Sequence, residues 1–158
     1  MHAVAVLLAA LAIQSSGKPE SIESLERDMT RLVNVEREAR GLPALELLPQ
    51  LGAVARKHSD IMLASGNFSH EAGGSSMEER TRKVLTNVCW FGENITKHYT
   101  IQYAVGDLMG SPGHRGNLLD PNYTGIGIGI AKGEDAFLYI TQNFVGFCKK
   151  KPMRNKQR

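Results

Sequence analysis

The chain has 158 residues, 42% of them apolar and 22% charged, which suffices for one domain with a real core and is too short for two comfortable ones. Its two cysteines exclude a miniprotein built from disulfides. The formal charge of +3 belongs to the tail 149–158, whose Lys149, Lys150, Lys151, Arg154, Lys156 and Arg158 supply six positive charges and leave the rest of the chain at −3. Such a run is solvated and suits an anionic surface, and with no recognition helix or interleaved aromatics it makes no case for specific nucleic-acid binding.

Ala3 to Ile13 form an unbroken apolar run that leads into Gln14-Ser15-Ser16-Gly17. A stable membrane span needs about 20 such residues, so the run reads as the apolar part of a secretory signal over residues 1–16. The folded domain is then expected over 21–148, in a protein that is secreted, extracellular or periplasmic. Ile22, Leu25, Met29, Leu32, Val33 and Ala39 recur at helical spacing and predict a first helix from Ser21 to Arg40, with Gly41 as its stop. A connector follows, and Pro49 opens a second helix that ends at Gly66. His58 falls on the inner face of that helix with Leu51, Ala55 and Met62, and reads as a packing histidine.

Ser76 can cap a short helix to about Val84. Asn87 to Ile95 reads as a strand interrupted at Gly92, and a helix from Thr100 to Met109 breaks at Ser111-Pro112. Ile126, Ile128 and Ile130 alternate with glycines in a strand, and a turn at 132–135 leads to another from Ala136 to Val145, a β-hairpin. Glycines inside a strand are not a phosphate loop, and Gly125, Gly127 and Gly129 instead imply that something packs closely on the backbone. Helices first and strands gathered in the second half predict an α+β fold. Cys89 and Cys148 both lie in strand-like segments; in an exported chain they suit one bridge, with two separate buried thiols as the alternative.

Polar residues gather at the ends of these elements. Pro112 and Gly113 shape the chain before His114, which places that histidine on a loop rather than on a packed helix. Phe68-Ser69-His70 follows the second helix, and Gly92-Glu93-Asn94-Ile95 lies in the first long strand. No nucleophile elbow or catalytic-cysteine signature is present, so Ser69 and Ser111 gain no catalytic role from adjacency to histidines.

These segments, with Gly125-Ile126-Gly127 and Tyr139-Ile140-Thr141-Gln142-Asn143-Phe144, occur in an order that resembles the CAP superfamily of cysteine-rich secretory proteins, antigen 5 and pathogenesis-related 1 proteins, in its short bacterial SCP-domain form. The resemblance runs from about Leu32 to Phe147. It implies an α-β-α sandwich with a central antiparallel sheet between helical layers, and a cleft in which His70, Glu93 and His114 match the family's first histidine, first acid and second histidine. Ser111 stands where many members have a second acid, and Asp107 is the nearest carboxylate. Asn94 is counted with the cleft, its amide better suited to supporting the loop than to touching a ligand.

Two imidazoles and a carboxylate can hold a divalent metal such as zinc with an open position for water. They can equally form a metal-free hydrogen-bonded cluster in which the acid fixes the histidine tautomers. No cofactor is required by the resemblance. The leading expectation is a monomeric binding module for a lipid, a sterol or another apolar ligand, or for a cell-envelope polymer. The rivals are a metal-dependent hydrolase centred on His70, Glu93 and His114, and a secreted host-interaction or immune-modulating factor.

Overall fold

The computed structural model describes residues 20–149, so the signal segment expected over 1–16 and all but the first residue of the basic tail lie outside the described residues. Among the described residues no helix is long and apolar enough to cross a membrane. The elements are α1 (Ile22–Glu38), β1 (Glu46–Leu47), α2 (Pro49–Ser65), α3 (Met77–Arg82), β2 (Val88–His98), α4 (Ile101–Gly110), α5 (Pro112–Leu119), β3 (Gly125–Lys132) and β4 (Leu138–Phe147). Local chemistry sets most of their ends. The Ser21 side chain accepts from the Ser24 amide at the start of α1, Gly66 stops α2 in the left-handed conformation at φ 67°, and Ser76 and Glu79 form a reciprocal capping box on α3.

The sheet has the order β1-β3-β4-β2. The long strands pair antiparallel as expected, while β1 adds a two-residue parallel pairing, Glu46 with Gly125 and Leu47 with Ile126. Two residues carry no readable alternation, which is why the connector after α1 showed no strand. On one face Ile126, Ile128, Ile130, Ile140 and Phe144 meet α1, α4 and α5 in the main core. On the other face α2 and α3 cover smaller clusters around Leu51 and Met62. The result is the helix-sheet-helix sandwich.

The glycine row explains how α2 comes so close. A Cβ on Gly129 would lie 1.9 Å from the Arg56 amide nitrogen, and one on Gly127 would lie 2.3 Å from the Leu51 carbonyl carbon. Ser59 then reaches the Gly129 carbonyl with its hydroxyl at 2.9 Å. Gly92 does not interrupt β2, since it pairs with Phe144; the irregularity falls between Val88 and Trp90. Its missing side chain instead admits the Tyr123 hydroxyl, which donates to the Phe91 carbonyl.

Cys89 and Cys148 form a disulfide with Cα atoms 5.1 Å apart, within the usual span of about 4.4–6.8 Å. The pairing of Val88 with Phe147 brings them side by side, so the alternative of two thiols falls away. Arg37, fully buried, donates to the carbonyls of Pro43, Leu118, Asp120 and Tyr123 and so pins the end of α5 to α1.

Gly129→Ala must push α2 off the sheet, and is expected to lower unfolding free energy in urea by about 1–3 kcal/mol or more. Gly106→Ala, in a helical position with nothing within 4 Å of the new Cβ, is expected to raise it by up to about 1 kcal/mol in the same measurement.

Candidate functional site

Alternation along β2 turns Glu93 toward α2 and α3 and Asn94 toward α5. The Glu93 side chain is only 4% exposed, and a buried carboxylate demands charge and hydrogen-bond partners. His70 supplies one from the loop after α2, its Nδ1 lying 2.9 Å from Glu93 Oε1. Facing an acceptor oxygen, Nδ1 is the donor, and the ring that it orients is 54% exposed.

Arg80, on α3, supplies the other. Its guanidinium donates to Glu93 Oε2 at 2.5 Å, to the His70 carbonyl at 3.1 Å and to the Ser75 carbonyl. One arginine thus ties α3, the 70–75 loop and β2 together. Sequence reasoning missed it, although a signal was there: Met77, Arg80 and Thr81 sit at i, i+3 and i+4, and Met77 and Thr81 are buried.

His58 is the second residue that the expected cleft omitted. It is fully buried on the inner face of α2, as a packing histidine, and its Nδ1 lies 3.3 Å from Thr141 Oγ1 and 3.6 Å from Glu93 Oε2. Burial first, then the Arg80 and His70 charges, push its pKa below 6.5, against the pull of Glu93 and of the Ser69 backbone.

His114 is not on a loop. Pro112 ends α4 and also starts α5, because the first turn of a helix has no use for the amide that proline lacks, so His114 sits in the first turn of α5. It joins the site through its backbone: Asn94 donates to the His114 carbonyl at 3.1 Å and to Gln142 Oε1 at 3.1 Å, and accepts from Asn117 at 2.9 Å. Asn117 also donates to the Glu93 carbonyl at 3.2 Å. Asn94 is fully buried with its amide spent on protein, which makes it a brace between β2 and α5. Ser111 caps α5 by position without a side-chain capping bond. Asp107 faces away toward His98, 3.5 Å from its Nε2, and brings no second acid to Glu93.

Several buried polar atoms on the Glu93 side lack a protein partner: His58 Nε2, Arg80 Nε, and both amide atoms of Asn143, the cross-strand neighbour of Glu93. Each such group costs stability, about 1–3 kcal/mol when wholly unsatisfied, and with Gln142 Nε2 on the opposite face they make the middle of β2 and β4 the candidate site. The donor set does not fit a metal. Among the described residues no three His, Cys, Asp or Glu side chains are placed to hold one ion. Glu93 already engages His70 and Arg80, and a divalent cation there would meet the guanidinium. The arrangement is instead a carboxylate clamped by an arginine, orienting one half-exposed imidazole.

For His58 the folded-state pKa lies below the unfolded value, so below pH 6.5 the unfolded chain binds the proton more readily. Its contribution to stability is complete above pH 6.5 and is lost as pH falls toward the folded-state value. Urea unfolding between pH 8 and pH 5 is expected to show that decline, and His58→Gln to flatten it.

The family model described as "CAP: Cysteine-rich secretory protein family" matches residues 30–144. The Bacillus subtilis protein YkwD is 31% identical over 134 residues, which cover 84% of this chain and 51% of that protein. The membrane protein YlbC of the same bacterium is 34% identical over 122 residues, covering 76% of this chain and 34% of its own length. The chain therefore spans about half the length of the first of these relatives and a third of the second. Among solved structures, an extracellular SCP-domain protein from Bacillus anthracis superposes with a TM-score of 0.71 at 28% identity, over 82% of this chain and 44% of that one. An outer surface protein from Borrelia burgdorferi, at TM-score 0.76 and 17% identity over 81% of this chain and 96% of its own, shares the fold. The chain belongs to the CAP, or cysteine-rich secretory protein, family.

Proposed function

We propose that this chain is a non-catalytic CAP-family binding module that works outside the cytoplasmic membrane and takes an apolar or cell-envelope ligand. The observation that carries this reading is the engagement of Glu93. Both of its oxygens face protein donors, and Arg80 supplies the positive charge that a metal would bring to a hydrolytic centre. What reaches solvent is the His70 ring, 54% exposed and oriented by the contact of its Nδ1 with Glu93. An oriented, half-exposed imidazole suits hydrogen bonding to a ligand.

The location rests on other grounds. The Cys89–Cys148 bridge belongs to an oxidising compartment, and the similar Bacillus anthracis and Borrelia proteins are described as extracellular and outer-surface proteins. The apolar run from Ala3 to Ile13 supports the same placement, and the basic tail would strengthen contact with an anionic envelope. The hydrolase reading would have to use His70 as a general base oriented by Glu93.

Native mass spectrometry of the protein from its own host is the test. The expected result is a copurified organic ligand with no stoichiometric divalent metal, and loss of that ligand in His70→Ala with the native fold retained by circular dichroism. Stoichiometric zinc, together with cleavage of a peptide or envelope substrate that His70→Ala abolishes, would contradict the reading.

A further inference from the structure

The C-terminal end of β2 and the N-terminal end of β4 carry a run of aromatic rings that the site above does not use. It begins two residues from His70. Phe68 packs edge-on against Tyr139 at 6.2 Å between ring centroids, and Lys97 Nζ lies 4.6 Å from the Tyr139 ring and 4.5 Å from the Phe137 ring. Phe137 stacks on Tyr99 at 3.8 Å, and around the strand end His98 stacks on Tyr103 at 5.4 Å. Lys97 links Tyr139 to Phe137 and His98 links Tyr99 to Tyr103; Phe137 and Tyr139 are half-buried, while Tyr103 is 68% exposed, Tyr99 58% and Phe68 44%. Large aromatics are costly to leave in water, and three exposed rings held by neighbouring rings and by Lys97 mark an interaction surface.

The chemistry of the run selects its partner. Lys97, the one lysine or arginine among these residues, is paired with Asp135 at 3.2 Å, and the Asp107 carboxylate lies 3.5 Å from His98, so the run offers no unpaired lysine or arginine to a polyanion or to anionic lipid headgroups. Its exposed members are mostly tyrosines, with polar tips among apolar faces, interleaved with paired groups that can still hydrogen-bond. An uncharged sugar chain has the matching pattern: apolar C–H faces that pack on rings, and hydroxyls at the edges that need donors and acceptors.

We infer that the aromatic run Phe68–Tyr139–Phe137–Tyr99–Tyr103 is a docking strip for an uncharged polysaccharide, leading along the sheet end toward His70. The inference deepens the binding-module reading and rests on it for placing the protein where such polymers are. Its support is the series of ring and cation–ring contacts, the exposure of Phe68, Tyr99 and Tyr103, and the pairing of Lys97 with Asp135.

Titration of the full chain with hexaoses of N-acetylglucosamine and of glucose, followed by amide NMR, tests it. At least one hexaose should bind with shifts centred on residues 97–103 and 137–139. The double variant Tyr99→Ala/Tyr103→Ala should weaken that binding by about tenfold or more, as the loss of two ring contacts implies, while Trp90→Ala, equally exposed but at the other end of β2, should leave it unchanged. Both tyrosines are exposed, so the double variant is expected to keep its melting temperature. The inference is overturned if neither hexaose binds at millimolar concentration, if the double variant binds as well as the parent chain, or if the strip instead mediates binding to phosphatidylglycerol vesicles. Hydrolysis of a bound hexaose that the double variant loses would uphold the strip while contradicting the non-catalytic reading, which keeps the two separable.

Discussion

Glu93 carries a carboxylate into a site where it is 4% exposed, and the surrounding geometry answers the cost of putting it there. Arg80 comes up from α3 and His70 down from the loop after α2, while His58 stands behind them in α2. Without the carboxylate the guanidinium would lose its anchor on β2 and the 70–75 loop would lose the contact that joins it to the sheet. A single buried charge thus organises two helices, a loop and an edge strand. It also decides the chemistry on offer, because an acid already paired with an arginine orients an imidazole and has little left for a cation.

The same strand separates two functions. Glu93 looks toward α2 and α3, and its neighbour Asn94 looks toward α5, where it holds the His114 carbonyl and is itself held by Asn117. Successive residues of one β-strand must face opposite ways, so the two histidines that the family pattern brings together are linked to β2 by different means. His70 is linked by its ring and His114 by its backbone. The close approach of Tyr123 at Gly92 and the Arg37 clamp on the end of α5 make that second attachment rigid.

The fold was legible because its main elements are long and periodic. The 3.6-residue pattern placed α1, α2 and α4, the alternation of isoleucine with glycine placed β3, and the glycines themselves foretold the close packing that Arg56 and Leu51 provide. The ordered motifs supplied the sandwich, and the family match bears out that reading. What the sequence concealed was short or long-range. β1 is too brief to show a period, and Pro112 reads equally as a helix stop or a helix start until the residues after it are seen in three dimensions. Arg80 was missed because arginines in short, highly charged helices are usually solvated, and only the tertiary structure reveals an acid beneath it. His58 showed its burial through helical spacing, yet its approach to Glu93 depends on the register between α2 and β2, which no local pattern encodes.

The site therefore stands on the pairing of Arg80 with Glu93. A double-mutant cycle with Arg80→Gln, Glu93→Gln and the combined variant, measured by urea unfolding, isolates that interaction from the other contacts of each residue. The predicted result is a coupling energy of about 1 kcal/mol or more in favour of the native pair, within the range of contacting charged residues. Additivity of the two substitutions to within about 0.5 kcal/mol would show that Glu93 finds its compensation elsewhere, and would contradict this picture of the site.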